Sequence, residues 1–175
     1  RYVRENVGVV LQEPFLFSRY IAENISIAGE KVDMDAVREA SRAACLDETV
    51  EGFTQGYDTF VGERGVTLSG GQKQRAAIAR TLMRRQPIMI FDDSLSAVDT
   101  ETDAKIRAEL ERRFGSASII LISHRITTLA KAGQILVLDK GRIAERGTHD
   151  ELVAANGIYR RIYDIQTAGA EEAAR

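Results

Sequence analysis

The sequence predicts an α/β fold built around a parallel sheet. Three short runs, at residues 7–11, 88–91 and 118–122, are almost entirely apolar. Continuous apolar runs of this length are typical of strands that are buried on both faces of a sheet. Helical patterns separate the runs, and parallel strands need such long connections. The tight-turn dipeptide Lys140-Gly141 predicts an antiparallel hairpin near the end of the chain.

Composition and charge limit the kinds of protein this chain can be. Its 175 residues fit one domain, and a hydrophobic content of 44% is enough for a sizeable core. A net charge of −2 argues against an obligate nucleic-acid binder, which needs a basic excess. No apolar run reaches transmembrane length, so we expect the chain itself to be soluble. Because it begins without methionine and just before a strand, we expect it to come from the middle of a larger protein.

The first strand is predicted over residues 7–11, and Pro14 ends this stretch because proline lacks a backbone N–H. Residues 19–56 show helical patterns broken into short pieces. Asp33 provides a capping carboxylate at the start of one of these pieces. Residues 61–65, with a glycine near each end, are predicted to form a loop.

A capped helix follows this loop. Ser69 is a favourable N-cap residue, and Gln72 three positions later completes a capping-box pattern. Gly70 and Gly71 carry no side chain, so another molecule can approach the backbone of the first turn closely. The free N–H groups at such a helix start suit a phosphate. The alternative is an ordinary capped helix beside a Gly-Gly turn, which we expect to end near residues 84–85.

Two carboxylates, Asp92 and Asp93, stop the second apolar strand. Asp99 is then expected to cap a helix that has apolar residues at a spacing of four. The third strand ends at Ser123-His124. A short helix, a strand over 134–139 and the hairpin come next, and the last helix carries an apolar stripe that includes Ile165.

The polar residues Gln12, Asp92 and His124 each follow a predicted parallel strand. The carboxyl ends of such strands meet at one edge of the sheet, where open α/β sheets bind ligands. An aspartate after a buried strand is the usual holder of a phosphate-bound Mg²⁺, and Asp93 beside it is suited to accept a proton from an attacking water. Two alternatives stay open: a carboxylate can cap the following helix, and a histidine at this point can be an ordinary turn residue.

The order of these motifs resembles the nucleotide-binding domain of ABC transporters. The motifs are Gln12, LSGGQ at 68–72, IMIFDD at 88–93, SAVD at 96–99 and His124. The resemblance runs from residue 1 to about 165, and the stretch GERG at 62–65 is similar to the exporter type. It implies an N-terminally truncated, P-loop NTPase-like parallel sheet core at 1–17 and 86–167. A helical subdomain at about 18–85, the C-terminal β-hairpin within the core and a disordered tail at 168–175 complete the expected domain map.

The resemblance also implies a role for each motif residue, with ATP and Mg²⁺ as cofactors. Gln12 and Asp92 are expected at Mg²⁺, and Asp93 and His124 are expected to be catalytic. The remaining positions are expected to bind ATP, in part across a dimer seam: Ser69, Gly70, Gly71, Gln72 and Asp99.

Two departures from the family pattern affect these expectations. No GxxxxGK[ST] occurs in the sequence, so the chain resembles a fragment cut after the phosphate-binding loop, and we expect it alone neither to bind ATP tightly nor to hydrolyse it. The usual catalytic glutamate is replaced by the shorter Asp93, and a misplacement of about 1 Å can cost on the order of 100-fold in rate. This substitution resembles one half of a heterodimeric exporter.

The leading interpretation is the ATPase portion of an ABC exporter at the cytoplasmic face of a membrane. Its expected partners are a membrane domain upstream of residue 1 and a second ABC subunit, with a heterodimer favoured and no nucleic acid. Two alternatives remain. One is a soluble ABC-type ATPase of DNA repair or translation, and the other is a non-catalytic partner subunit that binds nucleotide without turnover.

Overall fold

The computed structural model describes residues 2–27, 29, 31–62 and 67–173. The chain forms two compact units, Arg1–Ile122 and Ser123–Arg175, which are described separately. The boundary lies directly after the third predicted strand, a division that the sequence did not indicate. Of the GERG stretch, only Gly62 is described, so the expected exporter-type loop at 62–65 lies largely outside the described residues.

The described residues of the first unit form a three-stranded sheet, a two-stranded ribbon, six α-helices and a short 3-10 helix (Gly56–Asp58). The helices are α1 (Tyr2–Asn6), α2 (Ile21–Ser26), α3 (Met34–Ala43), α4 (Asp47–Glu51), α5 (Gly70–Leu82) and α6 (Thr100–Phe114). The strands are β1 (Val7–Val10), β2 (Arg19–Tyr20), β3 (Phe60–Val61), β4 (Ile88–Asp92) and β5 (Ser118–Ile122).

The sheet has the order β1-β4-β5, and both pairings are parallel. This confirms the predicted parallel sheet. In register, Val10 lies opposite Phe91, and Asp92 lies opposite Ile122. The carboxyl ends of all three strands therefore lie along one edge, which places the residues that follow β1 beside those that end β4.

Only one face of this sheet is buried in the described structure, which corrects the expectation that both faces are covered. Val10 and Phe91 are buried in the core of the unit. On the opposite face, Val9, Ile120 and Ile122 are 48%, 48% and 50% exposed. The apolar composition of the strands correctly indicated burial, but on one face only. Helix α5 packs against β1, and α2 and α3 pack against α5.

Helix α5 starts at the predicted position and ends slightly earlier than expected. Its last residue is Leu82, and Met83 is the C-cap residue, whereas the prediction placed the end near residues 84–85. Arg85 has a positive φ of 38°, so the backbone has already left the helical conformation there.

The half-buried Arg80 of helix α5 forms hydrogen bonds with the segment that follows β1. Its guanidinium donates to the backbone oxygens of Asn24 at 2.8 Å and Phe15 at 2.9 Å, and to the side-chain oxygen of Asn24 at 3.1 Å. Burial lowers the pKa of Arg80. The backbone oxygen of the buried Asn24 loses this donor if the guanidinium is removed, and an unpaired buried group is costly.

We therefore expect Arg80→Met to lower the free energy of unfolding by about 2–3 kcal/mol in equilibrium urea denaturation. The matched control is Arg84→Met, because Arg84 is an exposed arginine just beyond the same helix. Its expected effect is within about 0.5 kcal/mol. Equal destabilisation by both variants would contradict this role of Arg80.

The second unit consists of a hairpin and three helices in its described part. They are α7 (Ile126–Leu129), β6 (Ile135–Asp139), β7 (Arg142–Gly147), α8 (His149–Ala154) and α9 (Ile158–Ala173). The two strands pair antiparallel, which confirms the predicted hairpin. A small core of Ile126, Ile135, Leu152 and Tyr159 holds the unit together.

Two features of helix α9 differ from expectation. The tail predicted as disordered from residue 168 continues the helix to Ala173, since its alanines and glutamates are good helix formers. Ile165, expected on the apolar stripe, is largely exposed. His149, the first residue of α8, has its Nδ1 atom 2.8 Å from the hydroxyl of Tyr159 and links α8 to α9.

Candidate functional site

The structure brings Gln12 and Asp93 together at the carboxyl edge of the sheet. Gln12 follows β1 by two residues, and Asp93 directly follows β4. The side-chain amide of Gln12 donates from Nε2 to Oδ2 of Asp93 at 3.2 Å. Because neighbouring parallel strands keep these positions level, the contact follows from the register of β1 against β4.

A tight turn fixes the backbone of Asp93. Its φ is positive, at 43°, a conformation that aspartate tolerates better than most residues. Its N–H donates to the carbonyl of Ile122 at 2.8 Å, and its carbonyl accepts from the hydroxyl of Ser96 at 2.7 Å. The backbone of Asp93 is therefore held by hydrogen bonds on both sides of the residue.

Asp92 is the last residue of β4 and is half-buried. Among the described residues, no side chain forms a hydrogen bond or ion pair with its carboxylate. The neighbouring Asp93 carries the same charge, so the pair favours a bound cation. Carboxylate and amide oxygens are the ligands that Mg²⁺ takes in proteins, which means that Asp92 together with Gln12 fits this ion.

The start of helix α5 has the capping box that the sequence predicted. The N–H of Gln72 donates to Oγ of Ser69 at 3.3 Å, and the N–H of Ser69 donates to Oε1 of Gln72 at 2.8 Å. Ser69 and Gly70 are exposed, and a Cβ added to Gly70 would meet nothing within 4 Å. The first turn of α5 is thus open to another molecule, with free N–H groups at the positive end of the helix.

Gly71 is required for a different reason. A Cβ at this position would lie 2.9 Å from the backbone oxygen of Ala97, which real side chains do not tolerate. The loop between β4 and α6 therefore lies directly against the first turn of α5, and the two motifs are in contact within one unit.

A buried glutamine that the sequence analysis did not select, Gln74, links these motifs. Its Nε2 donates to the backbone oxygen of Gln12 at 3.0 Å, and its Oε1 accepts from the N–H of Ala97 at 3.3 Å. The signal was present in the sequence, because Gln74 precedes the apolar Ile78 by one helical turn on the stripe that faces the core.

Asp99 acts as the predicted cap of helix α6. Its carboxylate accepts from the N–H of Thr102 at 2.9 Å and from the Thr102 hydroxyl at 2.7 Å. The backbone hydrogen bond and then the side-chain hydrogen bond from Thr102 lower the pKa of Asp99. Its expected contact with ATP stays a prediction, as do the expected roles of the other site residues.

His124 belongs to the second unit, two residues beyond β5 in the sequence. Its side chain is exposed, and its backbone oxygen accepts from Nε2 of Gln166 on α9 at 2.6 Å. Helix α9 therefore fixes the backbone of the segment that carries this histidine.

Two features are absent from the described residues. No group of three or more His, Cys, Asp or Glu side chains is placed to hold a metal ion there. Within the same residues, none of the helices combines the length and the apolar composition that a membrane span requires.

Comparison with known proteins gives consistent matches. Residues 1–96 match the profile of the family described as ABC transporter. The chain is 47% identical over 164 residues to an uncharacterised ABC transporter ATP-binding protein, YknU, of Bacillus subtilis, covering 94% of this chain and 28% of the relative. It is 43% identical over 168 residues to an ATP-dependent lipid A-core flippase of Haemophilus influenzae, covering 95% and 29%.

A solved structure gives the same result for the fold. The chain superposes on a bacterial Atm1-family ABC exporter with ATP bound with a TM-score of 0.89 and 40% identity, covering 94% of this chain and 29% of that one. The chain thus spans under a third of the length of each of these three proteins.

Proposed function

Because the chain belongs to the ABC transporter family, we propose that it is part of the ATP-hydrolysing motor of an exporter. The observation that carries the proposal is the pair of side chains at the sheet edge, Gln12 donating to Asp93 beside the unpartnered Asp92. The named relatives support it, since one is an ATP-dependent flippase and a structural neighbour is an exporter with ATP bound. A rate measurement on the intact protein in lipid vesicles, with Mg²⁺ and ATP, tests it.

At this edge, Asp92 and Gln12 would hold Mg²⁺, and Asp93 would receive the proton of the attacking water. When bound, Mg²⁺ neutralises the charge that builds up on the phosphate oxygens. Asp93 has a fixed backbone and one hydrogen bond to Gln12, so its carboxylate is oriented before any ligand arrives. Orientation of this kind is a large part of catalysis in phosphoryl transfer.

The start of helix α5 is proposed to serve a nucleotide held by a second ABC subunit. The exposed Ser69 and Gly70 face away from the core, and the N–H groups of the first turn suit a γ-phosphate. The partner is proposed to be a different subunit, because the shorter Asp93 gives this chain the slower site. His124 and Asp99 are proposed to contribute to the two nucleotide sites that the two subunits form together.

The phosphate-binding loop is proposed to come from a part of the full-length protein outside these residues. The sequence contains no GxxxxGK[ST], and the relatives are more than three times as long as the matched segment. The exposed apolar face of Val9, Ile120 and Ile122 leaves room for another layer of structure. On this account the 175-residue chain alone does not hydrolyse ATP.

An exposed aromatic surface is proposed as the contact with the membrane domain, at the cytoplasmic face of a membrane. We call it the aromatic surface; it consists of the exposed Phe15, Phe17 and Tyr20 and the half-buried Phe60. Phe15 and Phe17 pack edge to face at 5.0 Å, as do Tyr20 and Phe60 at 5.6 Å. Exposed aromatic groups of this kind mark interaction sites. Phe15 and Phe17 follow Gln12 closely in the chain, so a contact there can reach the sheet edge.

A photo-reactive benzoylphenylalanine in place of Phe15 tests this surface in the intact protein. We expect a cross-link to a segment outside the 175 residues, in a cytoplasmic loop of the membrane domain, identified by mass spectrometry. The matched control carries the probe at Ile165, which is similarly exposed in the second unit. Absence of the Phe15 cross-link, or equal yields from both positions, would count against the proposed contact.

The second candidate function is a non-catalytic partner subunit, which the aspartate at position 93 favours. Single-turnover hydrolysis by the intact protein with its partner separates the two candidates. Hydrolysis at the site that contains Asp93 supports the motor function. Tight nucleotide binding without hydrolysis at that site supports the non-catalytic partner. A soluble ABC ATPase is disfavoured, since the named relatives are a flippase and an exporter.

A further inference from the structure

Gln74 on helix α5 makes contacts that neither the motif pattern nor the proposed function assigns. Its side chain is only 4% exposed, yet both ends of the amide are hydrogen-bonded. One end donates to the backbone of Gln12, and the other accepts from the backbone of Ala97. The three segments that meet here lie far apart in sequence.

The geometry restricts which residue can stand at this position. The amide must donate on one side and accept on the other, and glutamine does both without a charge. Leucine has a similar size but loses both part-buried hydrogen bonds, to the Gln12 carbonyl and from the Ala97 N–H. Glutamate keeps the acceptor for Ala97 and loses the donor for Gln12. The two bonds can therefore be removed together or one at a time.

The consequence for the site follows from the partners. Gln12 is the residue whose side chain reaches Asp93, and the Ala97 carbonyl packs against Gly71 at the start of α5. Because the Gln74 side chain binds the backbones of Gln12 and Ala97, it fixes the sheet edge relative to the exposed start of α5.

We propose that Gln74 is a positioning residue that fixes the backbones of Gln12 and Ala97 against helix α5. These bonds position the Gln12 side chain for Mg²⁺. They also position the start of α5 for the nucleotide held by the partner subunit. The inference rests on the proposed function. Its geometric part, the double hydrogen bond, is independent of any ligand.

The experiment compares Gln74→Leu and Gln74→Glu with Gln86→Leu in the intact protein. Gln86 is a matched control, because it is 5% exposed and also donates from Nε2 to a strand carbonyl, that of Val7 at 3.1 Å. It lies at the opposite end of β1 from Gln12. Amide hydrogen exchange is measured without nucleotide, and kcat and the Mg²⁺ concentration for half-maximal activity are measured with ATP.

We expect Gln74→Leu to lower kcat by about 10- to 100-fold, the range that the loss of two hydrogen bonds at about 1 kcal/mol each implies. We also expect it to raise the half-maximal Mg²⁺ concentration several-fold and to speed exchange of the Ala97 amide. Gln74→Glu should lower kcat, while the exchange rate of the Ala97 amide stays close to that of wild type. This variant provides the test if Gln74→Leu does not fold. Gln86→Leu, even with a similar loss of thermal stability, should keep kcat and the Mg²⁺ requirement.

Two results would overturn the inference. One is a Gln74→Leu variant with kcat within about twofold of wild type and unchanged Ala97 exchange, since about 1 kcal/mol per lost bond already exceeds twofold. The other is a Gln86→Leu variant that loses as much kcat as the Gln74 variants. If wild type itself has no ATP turnover, the proposed function fails, and hydrogen exchange still decides whether Gln74 holds the Ala97 amide.

Discussion

Replacing Asp92 with asparagine is expected to lower ATP hydrolysis by the intact protein about 1,000-fold, since Lewis-acid stabilisation by a bound metal amounts to several kcal/mol. Asparagine keeps the size of the side chain and one oxygen but removes the negative charge. Asp92 is the residue at the sheet edge whose carboxylate has no described partner, so its charge is available for a cation. The loss should therefore persist at saturating Mg²⁺, and the Mg²⁺ concentration for half-maximal rate should also rise.

The matched control for this prediction is Asp139→Asn. Asp139 is also the last residue of a strand, β6, and is exposed. It should leave the rate within about twofold of wild type, as expected for a surface substitution. Titration of the rate with Mg²⁺ and with Mn²⁺ measures both variants. If Asp92→Asn keeps more than a tenth of the wild-type rate at saturating Mg²⁺, Asp92 is not the main protein ligand of the ion.

The second large effect is expected from Ser69→Ala, which should lower ATP hydrolysis by the heterodimer more than Asp93→Asn does. On the proposed arrangement, the helix start at Ser69 completes the partner's fast site, whereas Asp93 belongs to the slow site. Loss of one positioned donor at developing charge costs about 100-fold or more in rate. Asp93→Asn should cost only the small share of turnover that the slow site contributes.

Loss of the N-cap needs a separate control, since replacing a serine cap by alanine costs about 1 kcal/mol of stability. Thr148→Ala removes the same kind of capping box at the start of α8 in the second unit. It should reproduce the stability loss and leave the rate nearly unchanged. Steady-state ATPase assays on the three purified heterodimers provide the comparison. The opposite order, with Asp93→Asn the more severe, would rule out the assignment of fast and slow sites.

Local signals were sufficient for much of the fold. The capping box at Ser69 forms as predicted, because N-cap geometry depends only on residues within one turn. The parallel pairing of β1, β4 and β5 also follows from the apolar runs and the helices between them. The positions of Gln12 and Asp92 at the strand ends were predictable for the same reason.

Other features depend on tertiary contacts that no local pattern carries. In the sequence, Arg80 is an ordinary cation on a helix. Its three hydrogen bonds to Asn24 and Phe15 form only because α5 packs against the segment that follows β1. The double contact of Gln74 requires two distant loops to meet. Whether a sheet face is buried depends on which other elements pack against it. The apolar strands alone predicted burial of both faces, whereas one face is exposed.

A structure of the intact protein with Mg²⁺ and a non-hydrolysable ATP analogue tests the central claim most directly. The account predicts Mg²⁺ in contact with Asp92 and the Gln12 side chain, directly or through one water, and His124 within hydrogen-bond distance of the γ-phosphate. It also places Ser69 and Gly70 of this chain at the nucleotide held by the partner subunit. A nucleotide bound away from the carboxyl edge of β1 and β4, or Gln12, Asp92 and His124 on opposite faces of the molecule, would contradict it.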